Sequence, residues 1–202
     1  MPTIIRMSQL YNFLRYCQVS KLGKNILDCG AGGDLPPLIL FAEHGFNTYG
    51  VEIDDNQLEK VKEFESKNNT SLNIVKGNMT KLPYENESMD YAYSCNSIFH
   101  LTKKDINKAI NEIKRVLKPN GRCYVNLLSV EDGEYGEGTE LEKGEFMQNE
   151  GGAKVIHTYY EFNEADEMFK DMKILTKTHR LTTRYINGNS YQMAYIEYIV
   201  EK

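Results

Sequence analysis

The sequence predicts an α/β domain built on a parallel, doubly wound sheet that closes with an antiparallel hairpin. Three observations carry this expectation. Between residues 25 and 130, short apolar runs alternate with stretches of helical periodicity in five β-α repeats. Such alternation places helices on the faces of a parallel sheet, joined by right-handed crossovers. The first apolar run ends in the glycine-rich turn Gly30-Ala31-Gly32-Gly33, and the chain finishes with two long strand-like runs around Asn187-Gly188-Asn189. The second of these is a ligand-approach signal and the third a hairpin signal.

In order along the chain, residues 3–17 place Ile4, Ile5, Leu10, Phe13, Leu14 and Cys17 at spacings near three and four, which predicts an amphipathic helix. Asn25–Cys29 reads as a buried strand. Leu38–His44 reads as a helix, with Pro36 and Pro37 near its first turn, where a missing N–H is tolerated. Asn47–Glu52 is a second strand, and Asn56–Lys67 is a helix with Leu58, Val61 and Phe64 on one side. Leu72–Val75 and Asp90–Ser94 are the third and fourth strands. Ile106–Leu117 keeps the helical period, and Asn120-Gly121 turns into a fifth strand, Arg122–Leu128. A short helix over Glu161–Phe169 then leads to the hairpin runs Ile174–Tyr185 and Ser190–Glu201.

A chain of 202 residues fits one domain, 1–202, read as an N-terminal helix (1–20), a ligand-binding core (25–130), an acidic insertion (131–156) and a closing helix and hairpin (157–202). No run of eighteen apolar residues offers a membrane span, and the first residues lack the basic and apolar regions of a secretion signal, so a cytoplasmic location is expected. Cys17, Cys29, Cys95 and Cys123 form no C-x-x-C pair, which speaks against a zinc site of that type and, for a cytoplasmic chain, against disulfides. Charge is unevenly spread. Residues 131–154 hold eight acids and two lysines, so this segment carries −6 and the rest of the chain +1 of the overall −5. With no basic patch or tail, nucleic acid is not an expected partner.

In open α/β sheets, ligands bind at the carboxyl ends of the strands. Gly30 and Gly32 allow a tight turn and close backbone approach there. The dinucleotide pattern G-x-G-x-x-G would require glycine at position 35, where the chain has Leu35. Glu52 ends the second strand, where a carboxylate can accept both hydroxyls of a ribose. Together these features point to an adenosine-type cofactor, and a nicotinamide-dependent oxidoreductase shares them.

Further segments follow in order: Gly77–Tyr84 after the third strand, Met89–Ser94 in the fourth, Cys95–Leu101 after it, and Glu112–Gly121 before the fifth. Taken together, residues 25–130 resemble the class I S-adenosylmethionine-dependent methyltransferases, in particular their small-molecule branch. The resemblance implies a Rossmann-like sheet of seven mostly parallel strands with an antiparallel last strand, S-adenosyl-L-methionine as cofactor, and in-line methyl transfer to a small molecule. It also implies a cofactor site at Asp28, Gly30, Ala31 and Gly32 for the methionine half, Glu52 for the ribose, and Ile53 over the adenine. Asn78 would accept from the adenine amino group, Met79 would offer its backbone N–H, and Cys95 would contribute its carbonyl. Asp34 replaces a family glycine, and Asn78 stands where the family commonly has Asp. These two departures keep open a non-catalytic S-adenosylmethionine-binding protein alongside the oxidoreductase alternative.

His100 falls on a histidine-bearing family segment and is the candidate general base, needed when the acceptor carries a proton. His157, with Tyr159 and Tyr160, follows the acidic segment as a second candidate facing the acceptor, and Tyr11 and Arg6 on the first helix are candidates for closing over the cofactor. The chain lacks the motifs of nucleic-acid methyltransferases after the fourth strand and the acidic ligands of metal-dependent catechol-type enzymes, so neither nucleic acid nor metal is expected. The acidic segment is expected to be an irregular lid over the acceptor, touching it through Tyr135, Leu141, Phe146 and Met147. Acceptor identity and oligomeric state are left open by the sequence.

Overall fold

The computed structural model describes residues 5, 7–186 and 188–202, so Ile4, Arg6 and Asn187 of the sequence reading lie outside the described residues. Five strands build the parallel part of the sheet: β1 (Asn25–Cys29), β2 (Asn47–Glu52), β3 (Ile74–Lys76), β4 (Met89–Ser94) and β5 (Leu117–Ser129). β9 (Lys173–Ile186) and β10 (Asn189–Glu201) form the closing hairpin. β10 pairs antiparallel with both β5 and β9, giving the order β3-β2-β1-β4-β5-β10-β9. This is the expected seven-stranded arrangement. The order reverses between β1 and β4, so the carboxyl ends of those two strands bound a crevice.

Alternation along each strand divides the core between two faces. Leu27, Cys29, Ala92, Cys123, Val125, Ile196 and Tyr198 face helix α4 (Lys103–Val116), which presents Ile106, Ala109, Ile110, Ile113 and Val116. Ile26, Tyr91, Tyr93, Tyr124 and Ile199 face the opposite side. There α1 (Ser8–Gln18) and α2 (Leu38–Glu43) bury Leu10, Phe13, Leu14 and Leu38–Phe41. Burial on both faces explains why these strands read as continuous apolar runs.

Four expectations are corrected. The helix predicted from residue 3 begins at Ser8, because Met7 takes a non-helical conformation without a side-chain cap. The third strand begins at Ile74 rather than Leu72, because Asn73 is left-handed (φ 54°) and breaks the extended run. The five β-α repeats reduce to helices after β1, β2 and β4, the second being α3 (Asp55–Asn68). The link from β3 to β4 carries no helix. It is a chain of turns clamped by α4: Arg115 donates to the carbonyls of Leu82 and Tyr84, and Glu112 accepts the Leu82 N–H at 2.8 Å. The short helix expected over Glu161–Phe169 is a 3-10 helix, Glu164–Phe169.

The acidic segment departs most from expectation. It folds as three antiparallel strands, β6 (Thr139–Glu142), β7 (Glu145–Glu150) and β8 (Ala153–Tyr160), and β8 joins the end of β5 in parallel. Phe146 and Tyr159 pack with Phe99, Leu128 and Tyr195 in a core of their own. Two bonds tie this small sheet to the start of α4. The Lys103 N–H donates to the buried Glu145 carboxylate at 2.6 Å, and the Thr158 hydroxyl donates to the Leu101 carbonyl at 2.6 Å. A carboxylate on an otherwise free helix N-terminal N–H is favoured by both hydrogen bonding and the helix dipole.

Glu145→Ala should therefore cost about 1.5–3 kcal/mol of stability, the worth of a hydrogen bond to a charged group. It should also speed amide exchange across residues 139–160. Denaturant unfolding with hydrogen exchange checks this, and an unchanged midpoint with unchanged exchange contradicts it.

Candidate functional site

The turn after β1 is built for closeness. Gly30 has φ 94°, and a Cβ there would lie 2.4 Å from the Ser97 side chain. A Cβ on Gly32 would lie 2.6 Å from both Gln57 and the Glu52 carboxylate. The Gly30 and Ala31 N–H groups both donate to the Val51 carbonyl, and the Gly32 N–H donates to Glu52 Oε2 at 3.0 Å. These three donors are thus committed within the protein. What the turn offers a ligand is close approach and its carbonyl oxygens.

Glu52 Oε1 accepts the Ile53 and Asp54 N–H groups at 2.8 and 2.9 Å. Three backbone donors fix the carboxylate at the end of β2 and leave spare acceptor capacity on Oε2. Ile53, next to it, is 63% exposed, an apolar surface beside a fixed carboxylate. Asn78 Oδ1 already accepts both the N–H and the hydroxyl of Thr80, at 2.9 Å each. Its expected acceptor role therefore requires displacing the Thr80 hydroxyl. Met79 follows it, half-buried against the core.

Asp28 is the anomaly of the crevice. It is wholly buried at the end of β1, and its Oδ2 has no hydrogen-bond partner among the described residues. Burial pushes its carboxyl up to about 8, the Glu52 charge adds to the rise, and the neighbouring Tyr93 pulls it down. An unpartnered buried carboxyl oxygen is costly and calls for a donor or a cation. The amino group of an amino-acid moiety supplies both. Cys95 is buried, its sulfur receives the Gln9 amide at 3.5 Å, and burial pushes its thiol up to about 12. It is neutral and unsuited to nucleophilic attack.

Beyond β4 the crevice meets a cavity of about 680 Å³. Asn96 takes the left-handed conformation (φ 56°) at the junction. A reciprocal amide pair holds it: its N–H donates to Asn126 Oδ1 at 2.8 Å, and Asn126 Nδ2 donates back to Asn96 Oδ1 at 2.6 Å. Asn96 lines the cavity, while its neighbour Ser97 donates to the Gly30 carbonyl at 3.2 Å. Two adjacent residues thereby join glycine turn and cavity.

The cavity's charged walls are Asp132, Glu134, Glu137 and Glu150 opposite Arg184. His100, on the 3-10 turn Ile98–His100, and His157, on β8, also line it, with ring centres 4.9 Å apart. His100 Nδ1 contacts the Ile156 carbonyl at 3.3 Å, and His157 Nδ1 meets the Gln148 side-chain carbonyl. Burial first, and the facing His157 second, push the His100 imidazole below its ordinary value, while Glu150 and the Ile156 carbonyl oppose them.

The structure thus places His100 and His157 together in one cavity and Asp28, Gly30, Ala31, Gly32, Glu52, Ile53, Asn78, Met79 and Cys95 around the adjoining crevice. Of the four lid residues expected to touch the acceptor, none lines the cavity: Tyr135 and Phe146 pack with Tyr159 inside the insertion, Leu141 is exposed, and Met147 lies on β7. The insertion reaches the cavity through its acids instead. Tyr160 is buried in the core facing α4, and Tyr11 accepts the Ile5 N–H at 3.2 Å. The sequence reading missed Asn96, Asn126, Glu150 and Arg184. Only Asn126 had a local signal, as the one amide inside an apolar strand.

Residues 27–125 match the protein family described as "Methyltransferase domain". An O-methyltransferase of Pyrenophora dematioidea is 32% identical over 113 residues, covering 55% of this chain and 42% of that protein. A sterol 24-C-methyltransferase of Pneumocystis carinii is 32% identical over 103 residues, 49% of this chain and 26% of that protein. The chain thus spans less than half the length of these relatives. A SAM-dependent methyltransferase from Methanosarcina mazei has the same fold, with a TM-score of 0.73, 18% identity, and coverage of 98% of this chain and 99% of that one. Among the described residues no helix is long and apolar enough to cross a membrane.

Because folding raises Asp28 from its ordinary 3.8 to about 8, the ligand-free chain has the full benefit of a neutral carboxyl below about pH 4. It loses that benefit progressively up to about pH 8. Asp28→Asn has nothing to titrate. Urea unfolding between pH 4 and 9 should show the variant gaining on the parent up to about pH 8 and then holding level, whereas parallel profiles contradict the assignment.

Proposed function

We propose that the chain is a class I S-adenosylmethionine-dependent methyltransferase and that it methylates a small molecule held in the cavity at the end of β4. The observation that carries this reading is the orphaned, wholly buried Asp28 oxygen. It lies in a crevice that Asn96 and Ser97 join to that cavity. The residues present fit S-adenosylmethionine. Asp28 takes the amino group, and the Gly30-Ala31-Gly32 turn admits the methionine half. Glu52 Oε2, with one acceptor site left, receives a ribose hydroxyl, and Ile53 covers the adenine. Asn78 and Met79 border the ring, and Cys95, just past the end of β4, offers its carbonyl. When bound, the cofactor supplies a sulfonium methyl whose leaving group departs neutral.

The protein's task is accordingly alignment and exclusion of water. The amide pair fixes the junction between crevice and cavity, and the insertion forms one wall of the cavity. When the acceptor carries a proton, His100 is placed to remove it. Its Nδ1 faces the Ile156 carbonyl, which leaves Nε2 as the acceptor. Four carboxylates against one guanidinium favour a cationic or neutral acceptor over an anionic one. The four free cysteines, all buried, support a cytoplasmic location, and no basic surface motif supports nucleic acid as substrate.

Calorimetry should show S-adenosylhomocysteine binding with NAD and NADP silent, and labelled methyl should pass from S-adenosylmethionine into a component of a metabolite extract. Dinucleotide binding without S-adenosylhomocysteine binding would overturn the reading in favour of an oxidoreductase. Cofactor binding with no labelled product would reduce it to a cofactor-binding protein.

A further inference from the structure

We propose that His100, His157 and Glu150 form a divalent metal site of the two-histidine, one-carboxylate kind in the wall of the cavity. One ligand atom from each of the three lies within 4.8 Å of the others. They come from three separate elements: the 3-10 turn after β4, β8 and β7. His157 Nε2 lies 3.4 Å from Glu150 Oε2, the edge length of a tetrahedron with metal–ligand bonds of about 2.1 Å. Closing the widest remaining spacing to that edge takes a shift of at most about 1.4 Å, part of which the exposed Glu150 side chain can supply.

The arrangement of the imidazoles is the second argument. Each ring has its Nδ1 against a carbonyl oxygen, that of Ile156 for His100 and that of the Gln148 side chain for His157. A carbonyl accepts only, so each Nδ1 carries the hydrogen and each Nε2 is left with a bare lone pair. Ligating histidines are oriented in this way by a carbonyl or carboxylate on the far nitrogen. Gln148 is itself fixed, its amide donating to the Glu134 carbonyl at 2.8 Å and to the Tyr159 hydroxyl at 3.0 Å. Two imidazoles and a carboxylate gathered within 4.8 Å of one another, with Asp132, Glu134 and Glu137 on the same cavity, form a site that attracts a cation. Two imidazoles and one carboxylate suit zinc and its first-row neighbours better than magnesium or calcium.

Three protein ligands leave a position open toward the cavity. On the methyltransferase reading, that position takes an oxygen or sulfur of the acceptor. Coordination lowers the acceptor's pKa, the proton leaves to solvent, and the resulting anion is the nucleophile. His100 then serves as ligand rather than base. This part rests on the proposed function, whereas metal binding does not.

The test uses the full-length, tag-free chain after chelator treatment and dialysis, with no cofactor or acceptor present. Titration with zinc should show one saturable equivalent, and cobalt should give visible d–d absorption. Glu150→Gln, an exposed change, should weaken binding roughly tenfold or more. His100→Ala with Glu150→Gln should abolish it while circular dichroism stays unchanged. No saturable zinc binding by the parent chain overturns the proposal, and so does binding that survives the double change. Binding of S-adenosylhomocysteine by the same chelator-treated preparation is read separately. A metal failure beside intact cofactor binding therefore refutes this site and leaves the methyltransferase reading standing.

Discussion

The reciprocal amide pair between Asn96 and Asn126 is the contact on which the site depends. β4 must end abruptly, because its next residues serve two neighbours at once: Ser97 reaches back to the glycine turn, and Asn96 faces the cavity. The reversal puts a residue with a side chain at positive φ, which is strained for anything but glycine or asparagine. Two hydrogen bonds to the fully buried Asn126 hold it there. A glycine would fit the backbone but lose the side-chain amide that receives Asn126 Nδ2. The close fit of Ser97 against Gly30 follows from the same turn, since any Cβ at position 30 would collide with it.

From that junction the molecule separates two chemistries. On the β1–β2 side, backbone donors are used up internally, so the crevice presents carboxyl oxygens and carbonyls with few N–H groups. That is a surface for a ligand rich in donors and positive charge. On the β5 side, the inserted sheet brings acids to the cavity wall while its aromatic residues turn inward to hold it together. The segment that carries the chain's net negative charge is thus a folded wall, anchored at the start of α4 by Glu145 and Thr158.

Much of this was legible in the residues because it is local. Asn25–Cys29 and Asn47–Glu52 read as strands because burial on both faces makes apolar runs, and the structure agrees to the residue. Gly30, Gly32 and Glu52 were legible because a tight turn and a strand end are set by a few neighbouring positions. The inserted sheet was not, because its pairing depends on registers across Gly144 and the Gly151-Gly152 turn, and glycine-rich acidic stretches carry no period. Glu150 meets His157 across that hairpin, and His100 meets both from another element. No spacing in the chain foretells that convergence. Asn73 was missed for a related reason, since its positive φ overrides an apolar run that otherwise reads as strand.

The most direct measurement of the central claim is a crystal structure of the chain with S-adenosylhomocysteine. The account predicts the amino group on Asp28, the ribose on Glu52, and the sulfur at the Asn96–Ser97 junction, facing the cavity that holds His100 and His157. A ligand whose sulfur faces away from that cavity, or one bound outside the β1–β4 crevice, would contradict it.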